Sequence, residues 1–306
     1  MKIAVVFPGQ GTQSVGMMNG FGDMAVVERT FREASAILGE DLWALAAHGP
    51  AEALNRTVVT QPLMLTAGVA GWRAWRERGG PMPAYFAGHS LGEYSALVAA
   101  GALRFEDALP LVRLRARAMQ DAVPEGTGGI AAIVGLEDAK IAQVCAEAAL
   151  GEVLEPANLN SPGQIVIAGH RAAVERGMAV AKAHGAKIAK MLPMSAPSHC
   201  SLMKPAAERL RERLAAVAIV APAVPVVQNA DVASFDDPDR IRRALVEQLY
   251  RPVRWVETMR YLQAQGVMRI VECAPGKVLA GLVKRTVDGV EAVAITDSAA
   301  LAAATA

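Results

Sequence analysis

This sequence has few cysteines, almost no excess of charge of either sign, and no long apolar runs. The 3 cysteines, Cys145, Cys200 and Cys273, are odd in number and far apart, which argues against a disulfide framework and against a zinc cluster. The 31 basic and 30 acidic residues leave a formal net charge of +1, so no global field attracts nucleic acid or an anionic membrane. We therefore expect reduced thiols, no metal and no nucleic-acid partner.

The apolar runs are too short for export or for a membrane span. The first, from Ile3 to Phe7, is shorter than the apolar part of a secretory signal, and no small-residue cleavage site follows it. No uncharged apolar stretch reaches the roughly 18 residues that a spanning helix needs. We expect a cytoplasmic protein that does not bind a membrane.

The chain does have enough apolar sequence for a sizeable core. With 53% of its 306 residues apolar, it suits one large domain with an insertion, or two domains. The β-branched runs Ile3 to Phe7 and Val224 to Val227 predict strands of a main sheet. Helical spacing predicts a helix from Leu63 to Arg78, and the alanine-rich tail from Ala299 predicts a frayed end.

The cluster of glycine and proline from Pro124 to Gly129 predicts a domain boundary. After it the pattern runs strand, helix, strand, strand, helix, strand, which is the ferredoxin-like order. We therefore predict an α/β fold in which a ferredoxin-like subdomain, residues 126–195, is inserted into a larger domain made of residues 1–125 and 196–306.

The run Gly88-His89-Ser90-Leu91-Gly92 stands between a predicted strand, Tyr85 to Ala87, and a predicted helix. Gly-x-Ser-x-Gly in that context is the nucleophile-elbow pattern, in which a sharp turn lifts the serine hydroxyl above the sheet edge. The helix N-terminus behind the serine offers free N–H groups to an oxyanion. The plain alternative is a glycine-bounded turn with an N-cap serine.

A serine nucleophile needs a base, and the chain has 5 histidines. His48 falls in a predicted exposed loop, and His184 lies at a helix end where a cation suits the helix dipole. His170 follows a predicted strand, and the side chain of His89 should point away from the serine. The favoured base is His199, on a proline-stiffened loop where the chain re-enters the large domain. A structural loop histidine is the alternative.

Five short motifs occur in one order along the chain. They are Gly9-Gln10-Gly11, Gly88-His89-Ser90-Leu91-Gly92-Glu93, Asn160-Ser161-Pro162-Gly163-Gln164, Pro197-Ser198-His199-Cys200 and Pro275-Gly276-Lys277-Val278-Leu279. Together, from Val5 to about Asp297, they resemble the malonyl-CoA:acyl carrier protein transacylases of bacterial type II fatty-acid synthesis. The resemblance implies an α/β-hydrolase-like large domain with a ferredoxin-like insert.

The resemblance also implies roles for individual residues. Ser90 is then the acylated nucleophile and His199 its general base and acid. Arg115 is the residue that clamps the malonyl carboxylate, which a planar guanidinium binds through two parallel hydrogen bonds. Without the resemblance Arg115 does not stand out from Arg113 and Arg117, and a solvated helix face is the plain alternative for all three.

Supporting positions follow from the same resemblance. The backbone N–H groups of Gln10 and Leu91 match an oxyanion hole, in which each donor contributes about 10²–10³-fold in rate. The backbone carbonyl of Gln248 matches the group that holds the histidine Nδ1–H, which makes a dyad without a triad acid. The positions implied near the site are Gln61, Asn158 and Asn160.

Three positions depart from the family pattern. Ala116 and Ala274 replace frequent glycines, and Gln228 precedes Asn229 where histidine is common. None of these departures touches the expected chemistry.

The sequence thus predicts a ping-pong transfer of malonyl from malonyl-CoA to the phosphopantetheine thiol of acyl carrier protein, by way of a Ser90 ester. No cofactor is expected beyond the CoA thioester substrate, and the family expectation is a monomer with a basic patch for the acidic carrier protein. Two alternatives lie within the class: an acyltransferase serving a polyketide synthase, and the transacylase subunit of a malonate decarboxylase. A serine esterase or thioesterase and a non-catalytic carrier-binding relative are more distant.

Overall fold

The computed structural model describes residues 1–194 and 196–305. In chain order the strands of this part are β1 (Lys2–Phe7), β2 (Tyr85–Gly88), β3 (Gly128–Val134), β4 (Leu154–Ser161), β5 (Gln164–His170), β6 (Ile188–Met191), β7 (Val226–Val227), β8 (Val267–Cys273) and β9 (Glu291–Ile295). The α-helices are α1 (Ala25–Leu38), α2 (Leu42–His48), α3 (Ala51–Leu54), α4 (Thr57–Glu77), α5 (Gly92–Ala99), α6 (Phe105–Asp121), α7 (Asp138–Ala149), α8 (Arg171–Ala183), α9 (Lys204–Ala215), α10 (Pro238–Glu247), α11 (Trp255–Ala264), α12 (Val278–Thr286) and α13 (Ser298–Thr305).

The larger sheet is parallel and has the strand order β7-β2-β1-β8-β9. Its central strand β1 is apolar on both faces, and residues 4–7 are buried, as in sheets that are covered by helices on both sides. Phe7 is paired with Gly88, so the loops that follow β1 and β2 begin side by side. This register brings the segment after Phe7 next to the predicted elbow.

The smaller sheet is antiparallel and has the strand order β4-β5-β3-β6. The first and third strands of the segment lie at its centre, which is the ferredoxin-like arrangement, and α7 and α8 share an apolar core with it. The α/β fold class is therefore confirmed, with a parallel sheet and a separate antiparallel sheet. All four strands lie between residues 128 and 191, and the limits 126–195 of an inserted subdomain stay a prediction.

Two predictions of local structure were wrong. Helix α4 begins at Thr57 and runs through Pro62, because its long buried face packs in the core and outweighs the one backbone donor that proline lacks. The tail is the helix α13 instead of a frayed end. Asp297 accepts a hydrogen bond from the Ala300 N–H at 2.7 Å, and Leu301 is buried.

Strand β4 of the smaller sheet forms main-chain hydrogen bonds to Val253, in the segment between α10 and α11. The Leu159 N–H donates to the Val253 carbonyl at 2.9 Å, and the Val253 N–H donates to the Ala157 carbonyl at 2.9 Å. The cleft that carries the site lies beside this junction. In the described part of the chain no helix is both long and apolar enough to cross a bilayer.

Candidate active site

Ser90 lies in the sharp turn between β2 and α5. Its φ of 52° is in the left-handed region that residues with a side chain rarely adopt. The turn brings backbone segments into close contact: a Cβ on Gly88 would collide with the backbone of Gly92, and a Cβ on Gly92 would collide with the carbonyl of Phe7. The spacing of the two glycines therefore follows from the geometry of the elbow.

The Ser90 hydroxyl is hydrogen-bonded to the ring of His199. Ser90 Oγ lies 2.7 Å from His199 Nε2, and His199 Nδ1 lies 2.8 Å from the backbone carbonyl of Gln248. A carbonyl oxygen only accepts hydrogen bonds, so Nδ1 carries the proton and Nε2 can accept one from the serine. The His199 N–H donates to the Leu249 carbonyl at 2.9 Å, which holds the loop in place.

His199 is electrically neutral in this site. Burial, followed by the positive charge of Arg115, lowers the pKa of its imidazole to about 3. At neutral pH the ring is therefore unprotonated, which is the state that a general base requires.

The guanidinium of Arg115 is buried, with an exposed fraction of 1%, and it faces Ser90. Nη1 donates to Gln61 Oε1 at 2.7 Å, and Nη2 donates to Gln248 Oε1 at 2.9 Å and to Ser90 Oγ at 3.2 Å. Burial lowers its pKa, yet a guanidinium keeps its charge in proteins. Within the described residues its acceptors are thus neutral groups, and a carboxylate would complete the site.

The structure separates the three arginines of α6 that the sequence alone could not. Arg113 is half-buried and donates to the Leu38 carbonyl at 3.0 Å, and it also pairs with Glu40. Arg117 is exposed. Only Arg115 of the three points into the pocket.

The predicted oxyanion donors belong to the same pocket as Ser90. Gln10 and Leu91 both line the pocket, and in the described chain neither backbone N–H has a hydrogen-bond partner. The N–H of Ser90 itself is occupied, because it donates to Asn229 Oδ1 at 2.7 Å. The N–H groups of Gln10 and Leu91 are therefore free to donate to an oxyanion, whereas that of Ser90 is not.

These groups share one pocket of about 430 Å³, whose lining includes the loops after β1 and β2 and strands of the smaller sheet. The smaller sheet contributes Asn158 and Asn160, and Asn160 Oδ1 lies 2.8 Å from His89 Nε2. Of the predicted site residues only Gln248 is outside the lining, and it contacts Arg115 through its side chain. The structure thus brings together all the residues that were predicted: Ser90, His199, Gln10, Leu91, Arg115, Gln248, Gln61, Asn158 and Asn160.

His48, His170 and His184 lie outside the pocket lining. His48 is exposed at the end of α2, His184 is hydrogen-bonded to Glu147 at 2.9 Å, and His170 accepts a hydrogen bond from the Val153 N–H at 2.9 Å. No cluster of three or more His, Cys, Asp or Glu side chains in the described residues has the arrangement of a metal site.

Sequence reasoning missed two polar residues beneath the elbow, Asn229 and Glu93. Asn229 bonds the backbone on both sides of His89, and its own N–H donates to Glu93 Oε2 at 2.8 Å. The available signal was position: Asn229 lies two residues after a predicted strand, at the end of a parallel sheet where sites form.

A serine–histidine pair beside a buried arginine, on this pair of sheets, places the protein among the acyl transferases. The chain matches the acyl transferase domain family over residues 4–303. It is 58% identical to the malonyl CoA-acyl carrier protein transacylase of Salmonella typhimurium, over 99% of this chain and 98% of that one. The chain belongs to the malonyl CoA-acyl carrier protein transacylase family.

Solved structures agree with this assignment. An acyl-carrier-protein S-malonyltransferase from Burkholderia pseudomallei superposes with a TM-score of 0.98 at 55% identity, covering 100% of this chain and 99% of that one. A malonyl-transacylase in complex with a type II PKS acyl-carrier protein superposes with a TM-score of 0.98 at 51% identity, with the coverage again 100% and 99%.

Proposed function

We propose that the protein transfers a malonyl group from malonyl-CoA to the phosphopantetheine thiol of acyl carrier protein, through an ester on Ser90. The proposal depends on two contacts of the serine hydroxyl: Ser90 Oγ lies 2.7 Å from His199 Nε2 and 3.2 Å from Arg115 Nη2. A nucleophile, its base and a cation for a terminal carboxylate meet there. Membership of the malonyl CoA-acyl carrier protein transacylase family supports the same reaction.

In the first half-reaction Ser90 is acylated. His199 Nε2 takes the hydroxyl proton as Oγ attacks the thioester carbonyl, and the N–H groups of Gln10 and Leu91 donate to the resulting oxyanion. The intermediate then collapses, the carbon–sulfur bond breaks, and His199 returns its proton to the departing CoA thiolate. The products are free CoA and the malonyl ester of Ser90.

In the second half-reaction a thiol replaces the serine. His199, neutral again, takes the proton of the phosphopantetheine thiol, and the thiolate attacks the ester carbonyl within the same oxyanion hole. The carbon–oxygen bond to Ser90 breaks, and Oγ regains its proton from His199. The carbonyl of Gln248 keeps the Nδ1–H in place through both halves.

Selectivity follows from the buried cation. The malonyl carboxylate pairs with Arg115, whereas an acetyl group leaves this guanidinium with neutral partners only. The carboxylate also offsets the positive charge that helps to lower the pKa of His199. Malonyl binding therefore makes the base stronger as the substrate arrives.

The Ser90→Ala variant tests the function with purified malonyl-CoA and acyl carrier protein. We expect loss of malonyl transfer, and full retained transfer would contradict the proposal. Incubation of the wild-type protein with malonyl-CoA alone separates transfer from hydrolysis. Slow release of malonate is expected, and rapid turnover without a carrier would favour an esterase or thioesterase.

A polyketide carrier protein is the second candidate acceptor. The observation that favours it is the likeness to the malonyl-transacylase that was solved with a type II PKS acyl-carrier protein. Comparing kcat/KM for carrier proteins of the two pathways decides between them, and we expect the fatty-acid carrier to be preferred.

We also propose that the protein works as a monomer in the cytoplasm, without a cofactor and without nucleic acid. The 3 cysteines are free and buried, which suits a reducing compartment. The net charge of +1 supports the absence of a nucleic-acid partner.

A further inference from the structure

Asn229 lies directly beneath the elbow, just after β7, the strand next to β2. It is buried, with an exposed fraction of 1%, and all its polar groups are used. Its Oδ1 accepts from the Ser90 N–H at 2.7 Å, and its Nδ2 donates to the Gly88 carbonyl at 2.6 Å. Its backbone N–H donates to Glu93 Oε2 at 2.8 Å, and its carbonyl accepts from the Arg254 N–H at 3.1 Å.

We propose that Asn229 and Glu93 are positioning residues for the nucleophile: Asn229 holds Ser90 in its left-handed conformation and keeps the Ser90 N–H out of the oxyanion hole, and Glu93 holds Asn229. This inference rests on the proposed role of Ser90. It gives a function to two buried polar residues that neither bind the acyl group nor exchange a proton with it.

The strained backbone of Ser90 needs such support. A side-chain-bearing residue at a φ of 52° persists only where the surroundings fix it from several sides. The Ser90 carbonyl accepts from the Glu93 N–H at 3.1 Å and from Gln248 Nε2 at 3.0 Å, and its N–H has Asn229 as partner. Without the Asn229 side chain the Ser90 N–H loses this acceptor, and Ser90 Oγ loses its fixed position against His199.

Glu93 can hold Asn229 as a neutral group. Its side chain is fully buried, and burial raises the pKa of its carboxyl to about 8. At neutral pH the carboxyl is therefore mostly protonated, and it accepts the Asn229 N–H as an uncharged oxygen. Glutamine offers the same acceptor at the same place, and leucine offers none.

Four variants test this, with malonyl-CoA and acyl carrier protein as substrates. Asn229→Ala should lower kcat about 10²-fold, the effect of a small displacement of a reacting group, and leave KM for malonyl-CoA within about twofold because the Arg115 pocket is intact. Glu93→Leu should resemble it, and Glu93→Gln should keep most of the activity. The matched control is Gln228→Leu. Gln228 is buried in the same segment, and in the described chain its side-chain atoms have no partner.

The double variant separates positioning from general damage. If Glu93 acts through Asn229, the Glu93→Leu/Asn229→Ala protein is no slower than Asn229→Ala. The inference is overturned if Asn229→Ala loses no more activity than Gln228→Leu, or if its KM for malonyl-CoA rises as its kcat falls. It is also overturned if the fall in kcat of the double variant equals the product of the falls in Glu93→Leu and Asn229→Ala. If Asn229→Ala does not fold, Asn229→Ser, whose hydroxyl cannot reach both backbone atoms, is judged by the same criteria.

The Ser90→Ala variant, assayed beside these proteins, distinguishes a failure of the proposed function from a failure of the positioning role alone. An active Ser90→Ala protein overturns the proposed function itself. An inactive one, together with an Asn229→Ala protein that behaves like the Gln228→Leu control, overturns only the positioning role.

Discussion

At the residue scale, the site has one buried cation and one neutral base that share the Ser90 hydroxyl. Arg115 donates to Gln61, Gln248 and Ser90, and none of these partners carries a charge. These neutral partners offset the cost of burying the guanidinium only in part, and a bound anion would offset more of it, because an unpaired buried charge is costly. Selection of a carboxylate-bearing acyl group is therefore expected to depend mainly on this one side chain.

Arg115→Ala should lower kcat/KM for malonyl-CoA by about 10²–10³-fold, since a buried charged partner is lost. Transfer from acetyl-CoA should fall far less, or rise. The measurement is kcat/KM with both donors, and Arg117→Ala on the exposed side of the same helix is the control that should behave as wild type. An equal loss of kcat/KM with both donors would show that Arg115 does not select for the carboxylate.

The depressed pKa of His199 makes a prediction about pH. Activity needs the neutral ring, and its pKa lies at about 3 against an ordinary value of 6.5. The acid limb of kcat/KM for malonyl-CoA should therefore lie well below pH 6.5. An acid limb of kcat/KM with its midpoint at pH 6.5 or above would contradict a neutral, buried base, if that limb disappears when His199 is substituted.

The same shift affects stability, with a definite sign. Between pH 6.5 and about 3 the unfolded chain binds a proton at His199 that the native protein does not bind. The free energy of unfolding should therefore fall as the pH drops through this window. Urea unfolding of the wild type and of His199→Gln across these pH values checks it, and the variant should lose less stability on acidification.

At the element scale, the elbow depends on how closely β1, β2 and α5 approach each other. Gly88 is the last residue of β2 and Gly92 the first of α5, and side chains there would collide with backbone. The sequence predicted this strand–turn–helix unit well, because the glycines and the hydrophobic pattern are local signals. It missed the start of α4, because the burial that overrides Pro62 comes from distant parts of the chain.

Gly88→Ala should destabilise the protein by about 3 kcal/mol, because the new methyl group meets backbone that cannot move aside. Gly281→Ala is the matched control. Gly281 lies within α12, and the nearest atom to an added Cβ is the end of the Arg285 side chain at 3.9 Å. The Gly281→Ala substitution should stabilise the protein by up to about 1 kcal/mol. Thermal and denaturant unfolding measure both, and a Gly88→Ala protein as stable as the control would refute the close packing at the elbow.

At the scale of the whole molecule, the site exists only where distant parts of the chain meet. Ser90 and Asn229 are 139 residues apart in sequence, and they touch because β7 lies beside β2 in the sheet. Local sequence patterns do not determine strand order, so motifs could indicate Ser90 and His199, whereas the position of Asn229 after a predicted strand could not show that it contacts Ser90. The family resemblance, in turn, was what singled out Arg115.

The contacts between the smaller sheet and the rest of the chain should make unfolding cooperative. Besides the Val253 bonds to β4, Ser201 donates to Glu155 from its backbone at 2.8 Å and from its hydroxyl at 2.7 Å. Differential scanning calorimetry should therefore show one transition, with van't Hoff and calorimetric enthalpies in agreement. Two resolved transitions would show that the smaller sheet unfolds by itself.

Malonyl transfer through Ser90 is tested most directly by mass spectrometry of the protein after brief mixing with malonyl-CoA alone. We expect one malonyl group, located on the peptide that contains Ser90, which disappears when acyl carrier protein is added and reappears on the carrier. Ser90→Ala should show no adduct. Transfer to the carrier without a malonyl ester on Ser90, or with the group on another residue, would show that Ser90 is not the nucleophile.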